Sequence, residues 1–382
     1  MKYIAFYDTP EFLSENRSVA LCAANVSNYM FDVIQDFSSL EIISPSRTRN
    51  TKGFYHGRKT AISNKAILIQ PPTFGVKTGL GRVLAIGFNL LWLLVYLLFH
   101  TKRRESVMVY HSLSIMMPIR IVKKIKGLEL ILEVREFYSD ARQSYEEFGN
   151  DMSKLHRKEM KFFSLADKYV FPTELLNKRV NIDNKPYVIA PGIYKAEDYS
   201  KTEKWSDGKI HIVYAGTLRE AKGVYDAIEL VNYLPENYYV HILGSAPDER
   251  LQKVKQEIEA FDKLSSASIS YDGQLRGSEF TAFLQKCHIG LSPQSKDASF
   301  NETSFPSKIF TYFSNGLTIV SVRIPAVVES PIGEYINYYD GTVEDLAKVV
   351  LQMPSIQQFD NKDVLDSLDR SLKEQMKKLV NC

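Results

Sequence analysis

Two segments in the second half of this chain hold the residues best suited to gripping an anion. The first follows the apolar run HIVYA and reads Gly216-Thr217-Leu218-Arg219-Glu220-Ala221-Lys222-Gly223. A glycine at a strand end lets backbone approach a ligand, and a helix opening near Gly223 aims unpaired N–H groups and a positive dipole end at it. Lys222 adds a full positive charge. An ordinary strand-to-helix turn with a solvated lysine fits the same letters equally well. The second segment is SFNETSFPSKIFTYFSNGLTIVS, Ser299 to Ser321. Pro306 suits the first turn of a helix and Ser304 is placed to cap it, which leaves the N–H groups of Ser307 and Lys308 for an anion; Gly316 closes the helix before an apolar strand. Capped helix ends occur in every protein. What raises this one is its agreement with Lys222 on one ligand type at one sheet edge, and a diphosphate is the group that suits both.

The first half offers weaker candidates. His111 stands at the end of the strand-like run SVMVYH, and Glu133-Val134-Arg135-Glu136 at the end of the next. A carboxylate and a guanidinium there could meet a sugar, or pair with each other, and a lone histidine is more often structural than chemical. Neither half contains G-x-G-x-x-G, and the loop after the first strand, DTPEFLSENRSV, has no glycine at all, which weighs against a dinucleotide enzyme. No D-x-D pair is placed for a metal. Cys22, Cys287 and Cys382 form no C-x-x-C pair and read as reduced thiols.

These residues need a scaffold, and the pattern supplies one. Runs readable as strands (Lys2 to Tyr7, Ser106 to His111, Leu128 to Val134, Lys168 to Pro172) alternate with helical stretches (Val19 to Met30, the apolar Val83 to Phe99, Ile115 to Lys126, Tyr145 to Ala166). Periodicity fades between Pro186 and Gly208. It then restarts with strands Ile210 to Ala215, Tyr239 to Leu243, Ala267 to Tyr271, Ile289 to Ser292 and Leu317 to Val322. Helices Val224 to Leu234, Asp248 to Phe261, Ser278 to Cys287, Pro306 to Ser314 and a terminal Asn361 to Lys378 complete the order. The alternation predicts α/β architecture with two doubly wound parallel sheets, in domains 1–190 and 191–382. A length of 382 residues agrees with two cores.

Hydrophobic residues make up 45% and charged residues 24%, which excludes a disordered chain, and a net charge of +3 argues against a nucleic-acid binder. The N-terminus, MKYIAFYDTPEF, lacks a signal-peptide core, so a cytoplasmic location is expected. Val83 to Phe99 is seventeen residues without a charge, shorter than the roughly 20 that span a bilayer. From Thr101 to Lys126 follow seven basic residues against the one acid Glu105. Residues 83–126 could therefore meet an anionic membrane surface, or simply cover the first sheet with their charges solvated.

With these residues in place, the chain resembles the retaining glycosyltransferases of GT-B fold, in particular the family 4-like (group 1) enzymes of bacterial capsular and exopolysaccharide synthesis. Gly216 to Gly223 is similar to that family's G-x-L-x-x-x-K-G turn, and Phe305-Pro306-Ser307-Lys308-Ile309-Phe310 with Tyr312 and Gly316 to its F-P-S-K-I stretch. The resemblance implies two Rossmann-like domains facing a cleft, with the last helix packing back on the first domain. It also implies a UDP- or GDP-linked sugar donor with no metal or other cofactor, and a glycan or polyprenyl-linked acceptor at the inner face of the membrane. Lys222 and His111 would be catalytic. Gly216, Thr217, Arg219, Gly244, Glu302, Thr303, Ser304, Phe305, Pro306, Ser307, Lys308 and Thr311 would line the donor side, and Asn16, Arg17, Glu133 and Arg135 the acceptor side. The family's two glutamates eight positions apart would fall at Thr303 and Thr311, and its arginine after the glycine at Thr217. A silent accessory subunit of the same fold and a nucleotide-sugar epimerase are the alternatives.

Overall fold

The computed structural model describes residues 1–18, 21–135, 137, 153–199, 202–353 and 361–381. It divides into two compact units, one of Met1–Ile193 with Arg370–Cys382 and one of Tyr194–Asp369.

The strands of the first unit are β1 (Lys2–Ile4), β2 (Leu40–Ile43), β3 (Phe54–Tyr55), β4 (Arg58–Ala61), β5 (Ala66–Gln70), β6 (Thr73–Phe74), β7 (Ser106–Tyr110), β8 (Glu129–Glu133), β9 (Lys168–Phe171) and β10 (Tyr187–Ile189). Eight form one sheet in the order β10-β9-β8-β7-β1-β2-β5-β4, while β3 and β6 make a separate antiparallel pair. All neighbours in the large sheet are parallel except β4, which runs antiparallel to β5 at the edge. The order therefore reverses between β1 and β7. The expected connector from Pro186 onward begins with β10, a three-residue edge strand. Its apolar Val188 is buried, and the neighbouring Pro and Tyr hid it in the sequence.

Both faces of this sheet are covered. On one, Tyr3 meets Phe31 of helix Leu21–Gln35 edge to face, centroids 5.3 Å apart. On the other, Ile4, Val107, Val109, Leu130 and Leu132 pack with Leu93, Ile119 and Phe162 from helices Gly79–His100, Met116–Lys126 and Ser153–Phe163. The crossovers to β7 and β8 run in the same direction across the sheet, so right-handed connection puts their helices on one face. The expected helix from Tyr145 begins, as described, at Ser153; positions 145–152, like Val19, lie outside the described residues.

The second unit contains β11 (Ile210–Thr217), β12 (Tyr238–Ser245), β13 (Ser268–Gly273), β14 (Ile289–Ser292), β15 (Thr318–Val322) and β16 (Asn337–Tyr339), in the order β13-β12-β11-β14-β15-β16 and all parallel. This is the doubly wound order 3-2-1-4-5-6, with its switch point between β11 and β14. Helices Val224–Glu229, Asp248–Leu264, Gly277–Lys286 and Lys308–Ser314 fall within a few residues of the bounds the periodicity gave. The first is shorter than expected, because Leu230–Tyr233 tightens into a 3₁₀ turn.

Candidate anion-binding site

The carboxyl edge of an open α/β sheet at its switch point is where neighbouring strands lead into diverging loops and leave a crevice for a ligand. Both segments singled out above reach this edge of the second unit. Gly216 and Thr217 are the last residues of β11 rather than the first of the loop. The chain then makes a 3₁₀ turn over Glu220–Lys222, in which the Gly223 N–H donates to the Glu220 carbonyl at 2.7 Å. Gly223 takes φ +77°, and a Cβ there would sit 1.8 Å from the carbonyl oxygen of Pro293, the residue that follows β14. The two switch-point loops are thus knitted together through bare backbone. Gly244, at φ +146°, is held the same way: its Cβ would lie 1.8 Å from the Gly216 carbonyl oxygen. We expect Gly223→Ala to lower stability by more than about 2 kcal/mol, since strain and overlap add. A urea midpoint equal to that of the parent protein would show that the loops part without difficulty.

The expected helix end at Gly223 needs correction, as does the one at Ser304. Helix Val224–Glu229 has six residues, too short for a strong dipole. Helix Lys308–Ser314 has seven and starts two residues later than expected, with Ser307 at the capping position in helical conformation and no side-chain cap. Ser304 lies three residues before that position, and its N–H donates to the Phe300 carbonyl at 2.9 Å, just after the 3₁₀ turn Ser299–Glu302. Pro306 instead supplies the carbonyl that accepts from Ile309 N–H at 3.0 Å. Positive charge at this edge comes from side chains.

Two ammonium groups converge there. The Nζ of Lys222 lies 3.4 Å from the centroid of the Phe300 ring, so the loop after β14 cradles the lysine from the loop after β11. The Nζ of Lys308 lies 3.8 Å from the centroid of Tyr214, on β11, and a Cβ at Gly216 would be 3.5 Å from it. Part of the Lys308 stem is accessible, but its Nζ is buried and has no hydrogen-bond partner among the described residues. Burial, and secondarily the charge of Lys222, pull its pKa down to about 7. An ammonium group has three donors and is strongly hydrated in water, so a buried one without an acceptor either gives up its proton or is relieved by an anion.

Tyr312 fixes this geometry. Its hydroxyl accepts from the Ala215 N–H at 2.7 Å, and its ring lies against Gly290, where a Cβ would be 2.4 Å from the ring. The helix carrying Lys308 is thereby held on β11 and β14. Phe305 and Phe310 pack together at 5.0 Å, and Pro306 and Thr303 are buried. Ser307 is exposed. The Thr311 hydroxyl donates back to the Ser307 carbonyl at 3.3 Å, and the Glu302 side chain lies outside the described residues. Arg219 lines an open bowl of about 860 Å³ with Asp226, Arg250, Lys253, Lys296 and Asp297.

In the first unit the candidates sit at the corresponding edge, but their side chains are largely occupied. His111 is 5% exposed, packed against Phe162 and Phe163, with Nε2 3.4 Å from Oε1 of the buried Glu159. Burial pushes its pKa down to about 4, so it is neutral at pH 7. Glu133 is fully buried; Tyr3 donates to it, and Arg135 contacts its Oε1 through Nε at 2.8 Å. Arg135 also donates to the Ala190 carbonyl. Of the two readings left open, mutual pairing is the one the structure displays. Arg17 is likewise buried, with Nε on Glu15 at 2.8 Å and Nη1 on the Ser46 and Pro71 carbonyls at 3.0 and 3.1 Å. Asn16, at φ +47°, donates to Asn50 on the exposed side of the loop. Glu136 lies outside the described residues.

Sequence reasoning missed Tyr214, Phe300 and Pro293. The only signal for them was position: Tyr214 two residues before Gly216 on an inward strand, Phe300 in an aromatic-containing loop seventy-eight residues from its lysine.

No family model matches the chain, and no curated protein matches it in sequence. Solved structures match its backbone. The α,α-trehalose-6-phosphate synthase of Burkholderia multivorans is 8% identical, covers 100% of this chain and 95% of its own, and superposes with a TM-score of 0.68. Sucrose-phosphate synthase of Thermosynechococcus elongatus is 11% identical, with 99% and 94% covered and a TM-score of 0.62. Anabaena HepE, solved with UDP and glucose, is 9% identical, with 100% and 98% covered and a TM-score of 0.62. Identity this low speaks for backbone architecture alone. The chain has the GT-B fold, built from two Rossmann-like α/β units.

Proposed function

We propose that this protein is a glycosyltransferase that takes a sugar from a UDP- or GDP-linked donor, with the donor diphosphate between Lys222 and Lys308. The observation that carries the reading is the buried Lys308 ammonium without an acceptor among the described residues, beside Gly216 and within electrostatic reach of Lys222. Two fixed cations at a diphosphate do more than bind it. As the glycosidic bond breaks, negative charge grows on the leaving phosphate oxygens, and donors already in position stabilise that charge without reorganising. No step of this kind requires a metal. The acceptor hydroxyl attacks on the face the nucleotide leaves, which retains the anomeric configuration, and the product belongs to a cell-surface polysaccharide built on a glycan or polyprenyl-linked acceptor. We place the work in the cytoplasm, at the inner face of the membrane. Support for the donor class comes from the two lysines and from the fold shared with HepE, which was solved with UDP and glucose.

One observation favours a second reading. With threonine at 311 bonded back into its own helix, the ribose side has no carboxylate from that position, as in a protein that binds a nucleotide-sugar for a partner without transferring it. An epimerase fits less well, because Glu133 is consumed by Tyr3 and Arg135.

A thermal-unfolding screen with UDP, GDP and their sugar conjugates tests the donor site. A ligand at one hundred times its dissociation constant stabilises the fold by about 2.7 kcal/mol. NMR of the anomeric proton then separates transfer from binding alone. No shift with any nucleotide diphosphate rejects the donor site; a shift with neither hydrolysis nor transfer leaves the accessory reading.

A further inference from the structure

Helix Gly79–His100 turns its apolar side outward. Ala85, Leu93 and Leu97 are buried in the core of the first unit, as an amphipathic helix requires, but the opposite face is not polar. Leu80, Leu84, Leu91, Val95 and Phe99 recur at helical spacing along it, and their exposure runs from 43% at Val95 to 80% at Phe99. The stripe from Leu80 to Phe99 is about 29 Å long at 1.5 Å per residue. Water-soluble surfaces rarely keep so continuous an apolar strip uncovered.

Helix Met116–Lys126 packs beside it on the same face of the sheet and shows the same habit on a smaller scale. Met117 and Ile125 are each more than half exposed, and the exposed Arg120 and Lys124 share their side of the helix. Between the two helices Lys102, Arg103 and Arg104 are exposed in sequence, while Glu105, the acid among them, is bonded to Lys2 at 2.7 Å. An apolar strip framed by cations complements a surface that is apolar a few ångströms down and negative at its boundary.

We infer that these two helices form a membrane-docking face that lies in the plane of an anionic lipid surface, with the leucine and phenylalanine side chains in the acyl boundary and the basic residues among the headgroups. The helix does not cross the bilayer, because its other side is committed to the core: Asn89 donates to the Pro45 carbonyl at 3.1 Å and Tyr96 to Glu41 at 3.0 Å, both within the unit. Such a helix binds through buried apolar area plus attraction to anionic lipid. The inference stands apart from the donor site, which lies in the other unit.

Flotation of the full chain with vesicles decides it. At low salt the protein should rise with vesicles of phosphatidylcholine and phosphatidylglycerol, and less with phosphatidylcholine alone. Leu84→Glu with Leu91→Glu should stay at the bottom in both. Replacing Lys102, Arg103 and Arg104 by glutamine should weaken binding to the anionic vesicles about 100-fold, each charge contributing roughly fivefold. Failure of the parent protein to float with anionic vesicles, or flotation of the double glutamate variant like the parent, overturns the inference. So does sedimentation showing a second copy of the chain on this face that the same variant disperses. Should the double variant fail to fold, Trp92 emission in a Trp205→Phe background reads the same contact: a blue shift with anionic vesicles supports it and an unchanged spectrum overturns it. Retained stabilisation by UDP in the variants keeps this outcome distinct from failure of the donor reading.

Discussion

Lys308→Met is expected to make the unliganded protein more stable while weakening its grip on a nucleotide diphosphate. A buried charge without an acceptor is a penalty on the fold, and a methionine of similar length fills the space against Tyr214 without it. In the proposed donor site the same charge meets the ligand. Losing one hydrogen bond to a charged group removes about 1.5–3 kcal/mol, or roughly 10- to 150-fold in affinity. Opposite signs in thermal midpoint and in calorimetric Kd are the signature; a variant that loses both stability and affinity would show Lys308 to be structural. The pH dependence follows from the same group. Its pKa in the folded protein, about 7, lies below the ordinary value of 10.5, so between these values the unfolded chain holds more protons. Stability contributed by this site therefore rises with pH across that window, whereas below about pH 7 the lysine is charged in both states and the penalty is fully present. Nucleotide affinity moves the other way, falling above about pH 7 by up to tenfold per unit as the proton must be taken up on binding. Both trends should vanish in the methionine variant. Persistence of either would move their origin elsewhere.

Lys222→Ala is the second large effect, and it falls on turnover. Removing one preorganised donor to a developing negative charge lowers kcat by about 100- to 1000-fold. In the unliganded protein the substitution takes the ammonium away from Phe300, a cation–π interaction worth about 0.5–1 kcal/mol at a partly exposed site. A variant that folds normally and binds the nucleotide a few-fold more weakly, yet barely transfers, is the expected result. Transfer kinetics equal to the parent would remove the lysine from the mechanism and the donor assignment with it.

The doubly wound architecture was legible because buried parallel strands read as predominantly apolar runs, such as Ile210 to Ala215 and Leu317 to Val322, punctuated by glycines. The pattern missed several short or polar strands, and the apolar β2 and β5 as well. β10 and β16 have three residues each, and β4, reading RKTA, lies at the sheet edge where charge is tolerated. Lys222 and Lys308 stand out in the sequence because charge beside glycine or proline is visible in a string of letters. Their environment was not: the Tyr214 and Phe300 rings and the Gly223 to Pro293 contact join residues distant in sequence, and only the switch point brings them together. Glu133, Arg135 and Arg17 show the converse. Charged residues at strand ends look poised for a ligand, and nothing local reveals that burial has already given them partners.

The seating of Tyr312 on Gly290 bears on how this chain can change over generations. Any side chain at 290 collides with the phenol, and any shorter side chain at 312 leaves the Ala215 amide without its acceptor and the Lys308 helix without its anchor. Neither position can drift alone. The two are expected to vary as a pair or not at all, so that the spacing between the lysines is inherited as one indivisible trait.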